Sequence, residues 1–248
     1  MKVLQINAWN GRIKDGLSRF ILDGKFDVVC IQEAVWSDDC NEYLELYVDT
    51  VDKIARMAGF DYVFKTSHYG TKILDGSVQF EIGNVLLSRI PSVSTREEEI
   101  LGKYVVIENI SDFQDIADHC YMAQKAVLDN GLAIVNYHGY WQKDPLGNDV
   151  SAKCMRKVAE LIKNDYYPTI MCGDLNVVSK SPAMRELDFM RDLTVINQVK
   201  TTLRNIRFVK DVACDHILIT NELRCKRFNV INAAISDHRA LVAEIEMK

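Results

Sequence analysis

Two short runs constrain the fold most: FDVVCIQEA at 26–34 and PTIMCGDLNV at 168–177. Each is apolar at consecutive rather than alternate positions, as a strand covered on both faces must be, and each is too short for a buried helix. KVLQINAW alternates as a strand, while Ile13, Leu17, Phe20 and Ile21 recur at helical spacing over 12–25. A second amphipathic helix is expected around 40–58. A third is expected over 149–165, with Val150, Cys154, Val158, Leu161 and Ile162 on one side. The middle reads as strands: VQFEIGNVLLSRI, KYVVIENI, CYMAQKAVL and LAIVNYHGYW, the last two separated by the hairpin signal Asp129-Asn130-Gly131. Ser181-Pro182 suits the opening of a short helix, and DHILIT, RFNVINAAI and RALVAEIEM close the chain as strands. Roughly ten strands and four helices, many strands joined by hairpins, predict an α/β fold of two packed sheets with helices outside. The central run of hairpins argues against a Rossmann fold or a β/α barrel.

With 248 residues, four prolines and no linker or repeat, the chain reads as one domain spanning 1–248. A net charge of -5 argues against tight, sequence-independent binding of long duplexes, which needs many Lys/Arg–phosphate contacts. Locally the balance reverses. Lys200, Arg204, Arg207, Lys210, Arg224, Lys226 and Arg227 face only Asp211, Asp215 and Glu222, either as a solvated face or as a rim that draws in an anionic substrate. The N-terminus lacks the apolar core of a signal peptide, and no window approaches the ~18 apolar residues of a membrane span. The seven cysteines form no CxxC pair, and Cys30, Cys120 and Cys172 lie in apolar stretches. Reduced thiols and a cytoplasmic location are expected.

Polar residues recur at strand ends, where burial should exclude them. Asn7 ends VLQIN, Gln32 and Glu33 end VVCIQE, His138 follows LAIVNY, and Asp174 and Asn176 end the second buried run. Asp215 opens DHILIT, and Ser236-Asp237-His238 precedes the final strand. Alternate strand positions share a face, so Asp174 and Asn176 should project together. Each residue alone also suits a structural role; the repetition across six segments suggests a shared ligand. Glu33, Asp237 and Asn7 are hard oxygen donors suited to Mg²⁺ or Mn²⁺. The sequence has no HExxH, GxxxxGK[ST], GxGxxG or GxSxG motif. Histidines, carboxylates and a hard cation together point to water attacking phosphorus.

In order, INAWNGR, IQE, NYHGYW, GDLN, CDHILI and SDHRAL resemble the endonuclease/exonuclease/phosphatase superfamily, the DNase-I-like fold, from residue 7 to residue 238. The resemblance implies a four-layer α/β sandwich, two packed mixed β-sheets flanked by helices. It also implies roles: Glu33 as principal Mg²⁺ ligand with Asn7 on the metal side and Asp237 beside it. Asp174 would orient or deprotonate the attacking water, and Asn176 would hold the phosphate. His238 would pair with Asp215, and His138 would stabilise charge on the phosphoryl oxygens. His216 should face away from Asp215, and it, His68 and His119 read as structural.

Members of that superfamily differ in substrate, so specificity lies in loops. Trp141 and Trp36 offer stacking faces, with core or rim packing as the alternative, and Asn10, Arg12 and Arg204 are candidate metal-site or substrate contacts. The leading expectation is a Mg²⁺-dependent phosphodiesterase or nuclease acting on nucleic acid. The alternative is a hydrolase of a small or lipid-linked phosphoester, favoured by the low pI. A non-catalytic binding module is the remote third, since the residue set is complete.

Overall fold

The computed structural model describes residues 1–73, 78–108, 120–204 and 212–248. In chain order it contains β1 (Lys2–Asn7), α1 (Gly16–Gly24), β2 (Val28–Trp36), α2 (Asn41–Leu44), α3 (Val51–Ala58), β3 (Tyr62–Ile73) and β4 (Val78–Ser88). Then come β5 (Ser92–Leu101), β6 (Val106–Ile107), β7 (Tyr121–Leu128), β8 (Ala133–Tyr137), α4 (Asp149–Lys163) and β9 (Thr169–Asp174). The chain ends with β10 (Arg191–Asp192), α5 (Leu193–Ile196), β11 (Asp215–Ile219), β12 (Leu223–Ile231) and β13 (Ala240–Met247). One sheet has strand order β12-β13-β1-β2-β4-β3-β6 and the other β10-β11-β9-β8-β7-β5. Both are mixed: β1 pairs parallel with β2 but antiparallel with β13, and β9 pairs parallel with β8 but antiparallel with β11.

Side-chain alternation builds the layers. Along β1, Leu4 and Ile6 pack outward against α1 and α3, with Leu17, Ile21 and Ile54. Val3 instead joins Cys30, Ile134, Cys172, Ile217 and Leu241 between the sheets. On the far side, Cys154, Met155, Val158, Leu161 and Ile162 of α4 cover Val135, Met171 and Leu218. The result is a four-layer α/β sandwich, helix–sheet–sheet–helix, whose three apolar seams follow from period-2 and period-3.6 patterns. Among the described residues no helix is long and apolar enough to cross a membrane.

Local chemistry sets the element ends. Asn148 caps α4 by accepting from the N–H groups of Val150 and Ser151. Ser181 caps a 3-10 turn over Pro182–Leu187, as the Ser-Pro pair predicts. The helix expected over 40–58 is interrupted. Asp49 turns its carboxylate to the N–H groups of Asp15 and Ser18 and to Lys53, and Thr50 starts α3 afresh by accepting from Lys53 N. The pattern at 12–25 becomes helical only at Gly16. KYVVIENI supplies just β6, with Asn109 and Ile110 outside the described residues. β3 was not anticipated: its polar YVFKTSHYGTKI joins the sheet through eleven paired positions on β4.

Candidate active site

The polar strand ends converge at one edge of the seam between the sheets. On β1, Gln5 and Asn7 face the opposite sheet, and Asn7 Nδ2 donates to Asp174 Oδ2 on β9 at 3.0 Å. Glu33 reaches the same place through a bulge. Pairing of β2 with β4 slips between Ile31 and Ala34, and Glu33 takes a left-handed φ of 49°. Ile31 and Ala34 both pack toward the helices. Gln32 bonds across to Asn136 at 2.7 Å, and Glu33 Oε1 accepts from Asn7 Nδ2 at 2.9 Å. Plain alternation would send Glu33 outward; the extra residue in the bulge turns it inward.

Two glycines let β8 and β9 close on each other. A Cβ on Gly173 would stand 2.0 Å from Tyr137 O, and one on Gly139 would stand 2.1 Å from Leu175 O. The close approach places His138 Nε2 3.7 Å from Asp174 Oδ2 and 3.9 Å from Glu33 Oε1. Across the site His238 Nε2 also lies 3.7 Å from Asp174 Oδ2, and its Nδ1 meets Asp215 Oδ2 at 2.8 Å. These 3.7–3.9 Å separations are too long for hydrogen bonds, yet one oxygen off the line between two groups reaches both. Asn176 arrives differently from the strand periodicity expected of it. β9 ends at Asp174, and Asn176 sits beyond it in a left-handed turn with φ 54°. Its N–H donates to Asp174 Oδ1 at 3.0 Å, and its Nδ2 donates to Gly139 O at 2.9 Å.

The site is electrostatically strained. Burial pushes the Asp174 carboxyl up, and the nearby Asp215 adds to this, against His238 and His138. Burial also opposes the charge on Asp215, but His238, Thr202 and Gln5 overcome it and hold that carboxyl below the ordinary range. Burial opposes the His238 imidazolium as well, yet Asp215, Asp174 and Asp237 raise its pKa. Asp215 and His238 therefore form a carboxylate–imidazolium pair. Asp237 is pushed up by burial and then by the Glu33 carboxylate. Two carboxylates that repel each other beside an amide fit a hard divalent cation. Asp174, Cys214, Asp215 and His238 also offer donor atoms within 4.8 Å of one another. That set fits less well: burial first and the neighbouring carboxylates next hold the Cys214 thiol protonated, and His238 Nδ1 is engaged by Asp215.

The remaining expected residues divide. Asp237 sits in the loop before β13, where Ser236 Oγ donates to Asn7 O at 2.7 Å and ties that loop to β1. Arg204 braces the same loop, donating through its guanidinium to Ser236 O at 3.1 Å and through its N–H to Asp237 O at 2.7 Å. Arg12 is exposed, over the Trp9 ring at 5.2 Å, and Trp141 is 56% exposed. Trp36 offers no stacking face: it lies in the helix-side core with Lys65 over its ring, because the bulge at Glu33 restores outward alternation. Of the five described cations of the basic run, Lys200 is exposed and the other four are engaged. Arg224 and Lys226 pair with Glu246, Arg227 pairs with Glu244, and Arg204 is spent on the Ser236 loop; Arg207, Lys210 and Asp211 lie outside the described residues, as does His119. Cross-strand pairing on β12 and β13 supplies those acids, which a one-dimensional charge count misses.

Three contributing side chains, Gln5, Asn136 and Gln124, were not singled out in the sequence, though Gln32, which joins them, was. Gln5 Nε2 donates to Asp215 Oδ1 and to Gln32 Oε1, both at 2.9 Å, and Gln32 continues to Asn136 and then Gln124. All four amides are fully buried between the sheets. Their signal in the sequence is a polar residue at an inward position of an apolar strand. His68, read as structural, is buried and stacks on His138 at 6.0 Å with a 26° tilt. His216 faces away from the site, with Nδ1 2.8 Å from Asp192 Oδ2.

Comparison with known proteins bears on the fold and the family. No curated protein matches the chain in sequence. In fold it resembles an endonuclease/exonuclease/phosphatase from Beutenbergia cavernae, with TM-score 0.75 and 14% identity, over 100% of this chain and 71% of that one. It also resembles a Bacteroides thetaiotaomicron mannosyl-6-phosphatase, with TM-score 0.65 and 14% identity over 100% of both chains. The human nocturnin catalytic domain with bound sulfate gives TM-score 0.67 and 13% identity, over 100% of this chain and 93% of that one. The sequence profile described as the Endonuclease/Exonuclease/phosphatase family matches residues 4–238. The chain therefore belongs to the endonuclease/exonuclease/phosphatase family, a group that includes metal-dependent phosphoesterases.

Proposed function

We propose that this chain, as one domain, is a divalent-metal-dependent phosphoester hydrolase that uses an activated water. One observation carries the reading: the buried Asp174 carboxylate is oriented at both oxygens, Oδ1 by the Asn176 N–H and Oδ2 by Asn7 Nδ2, with two imidazoles 3.7 Å from Oδ2. That is the placement a general base needs.

Glu33 and Asp237, with Asn7 beside them, would hold Mg²⁺, with Mn²⁺ as a substitute. When bound, such an ion supplies Lewis-acid polarisation of a phosphoryl oxygen. Asp174 accepts a proton from the attacking water as the water oxygen bonds to phosphorus. The opposite P–O bond opens and its electron pair leaves with the departing oxygen. The His238 imidazolium, held by Asp215, and His138 face the non-bridging oxygens where charge accumulates. Asn176 positions both Asp174 and the phosphate.

Of the two substrate readings, the small phosphoester is favoured, because four of the five described cations of the basic run, all but the exposed Lys200, are engaged by Glu244, Glu246 and the Ser236 loop. The mannosyl-6-phosphatase of the same fold acts on a small phosphoester, as its name states. Exposed Trp141, three residues past His138, keeps a nucleic-acid phosphodiester as the second reading. The test is turnover of small esters and oligonucleotides with Mg²⁺, Mn²⁺ or EDTA. Asp174→Asn should lower kcat about 10²–10⁴-fold with the circular dichroism spectrum unchanged. Full activity in that variant would remove Asp174 from the mechanism.

A further inference from the structure

Beside Glu33 the fold contains a cavity of about 520 Å³ that the catalytic constellation does not use. Its walls are mainly apolar: Val35, Leu44, Val48, Phe80 and Ile82. Val35 is two residues beyond Glu33 on β2 and pairs with Ile82 on β4, so the cavity and the carboxylate share one strand end. Tyr69 links them physically. It packs with Val35, Leu44 and Ile82; burial first and the Glu33 carboxylate next push its hydroxyl pKa up, against the Arg12 guanidinium. Arg12 and Asn10, on the turn that follows Asn7, complete the wall.

The chemistry of the lining narrows the occupant. Tyr43 and Tyr47 lie against one another, ring centroids 5.4 Å apart, and Tyr47 is 61% exposed at the rim. Arg12 adds a cation to the cavity wall, a partner for the negative charge of a phosphoester. A cavity this size takes a compact group rather than paired acyl chains. Aromatic rings also gain from edge-to-face packing on tyrosine and phenylalanine beyond the area they bury. Asn10 adds a polar point to the wall: its buried Oδ1 has no hydrogen-bond partner.

We propose that this cavity is the substrate-specificity pocket, and that it receives an aromatic ring carried by a small phosphoester whose phosphate lies against Asp174, His138 and His238. The assignment rests on the phosphoester reading above for its phosphate anchor and adds the class of group attached to that phosphate.

Phosphonates test it, since their P–C bond resists hydrolysis and binding is read without turnover. Calorimetric titration of the full chain with phenyl-, hexyl- and methylphosphonate should show phenyl binding about tenfold more tightly than methyl, with hexyl between them. Val48→Trp, which fills the cavity, should abolish the phenyl preference. Tyr47→Ala, at an exposed position that does not threaten folding, should reduce it several-fold. Equal affinities, hexyl binding best, no binding of any of the three, or a preference untouched by both variants would each overturn the proposal. A flat series in an enzyme that turns over phosphoesters refutes the pocket alone. The full preference in a protein without turnover refutes the hydrolase reading and leaves the pocket standing.

Discussion

Gln32→Met isolates the polar seam between the sheets. Methionine keeps the volume and the apolar stem of glutamine but removes both of its buried hydrogen bonds. Gln5 Nε2 loses an acceptor at 2.9 Å and Asn136 Oδ1 loses a donor at 2.7 Å, both within fully buried amides. A buried polar group left unpaired costs about 1–3 kcal/mol, so two cost about 2–6. The thioether offsets about 1–2 kcal/mol through apolar burial. Taking mid-range values, about 4 less about 1.5, unfolding free energy should fall by about 2–3 kcal/mol, and a domain of this size then loses about 4–12 °C in Tm. Urea denaturation with matched m-values, checked by scanning calorimetry, reads the change. Gln5 keeps its bond to Asp215 Oδ1, so kcat of the folded variant should stay within about tenfold of wild type. A loss below about 1 kcal/mol would refute the view that this seam is a hydrogen-bonded network on which the sandwich depends.

Two further outcomes follow from the geometry. Gly173→Ala places a methyl 2.0 Å from Tyr137 O, so β8 and β9 must separate. Stability should fall by about 1–3 kcal/mol, with kcat falling too as His138 moves off Asp174; wild-type denaturation and kinetics would contradict this. The second concerns pH. Burial opposes the His216 charge, but Asp192 raises its pKa; burial also opposes the Asp192 charge, but His216 and the N–H groups of Thr194 and Val195 lower its pKa. The raised imidazole contributes fully below about pH 6.5 and less as pH climbs through its folded value. The lowered carboxyl contributes fully above about pH 4 and less as pH drops through its folded value. The Tm difference between wild type and His216→Gln should thus peak between about pH 4 and 6.5 and shrink on either side of that window. A difference independent of pH would dissociate this pair from stability.

Much was legible in the sequence because its signals are local. Strand and helix periods set the faces of β1, β9 and α4, and Asp129-Asn130-Gly131 joined β7 to β8. Polar residues on strand ends marked Asn7, Glu33, His138, Asp174 and Asp215, all of which meet at one edge of the sandwich. Tertiary structure decided what depends on partners distant in the chain. A bulge, which costs a left-handed φ that no residue pattern announces, turns Glu33 inward and sends Trp36 into the core. A turn rather than a strand face presents Asn176. Pairing of β12 with β13 places Glu244 and Glu246 beside the basic run and offsets part of its apparent charge. The amide relay from Asp215 to Gln124 exists only once two sheets stack, because each glutamine or asparagine satisfies a partner on another strand. Periodicity says which way a side chain points; only packing says what it meets there.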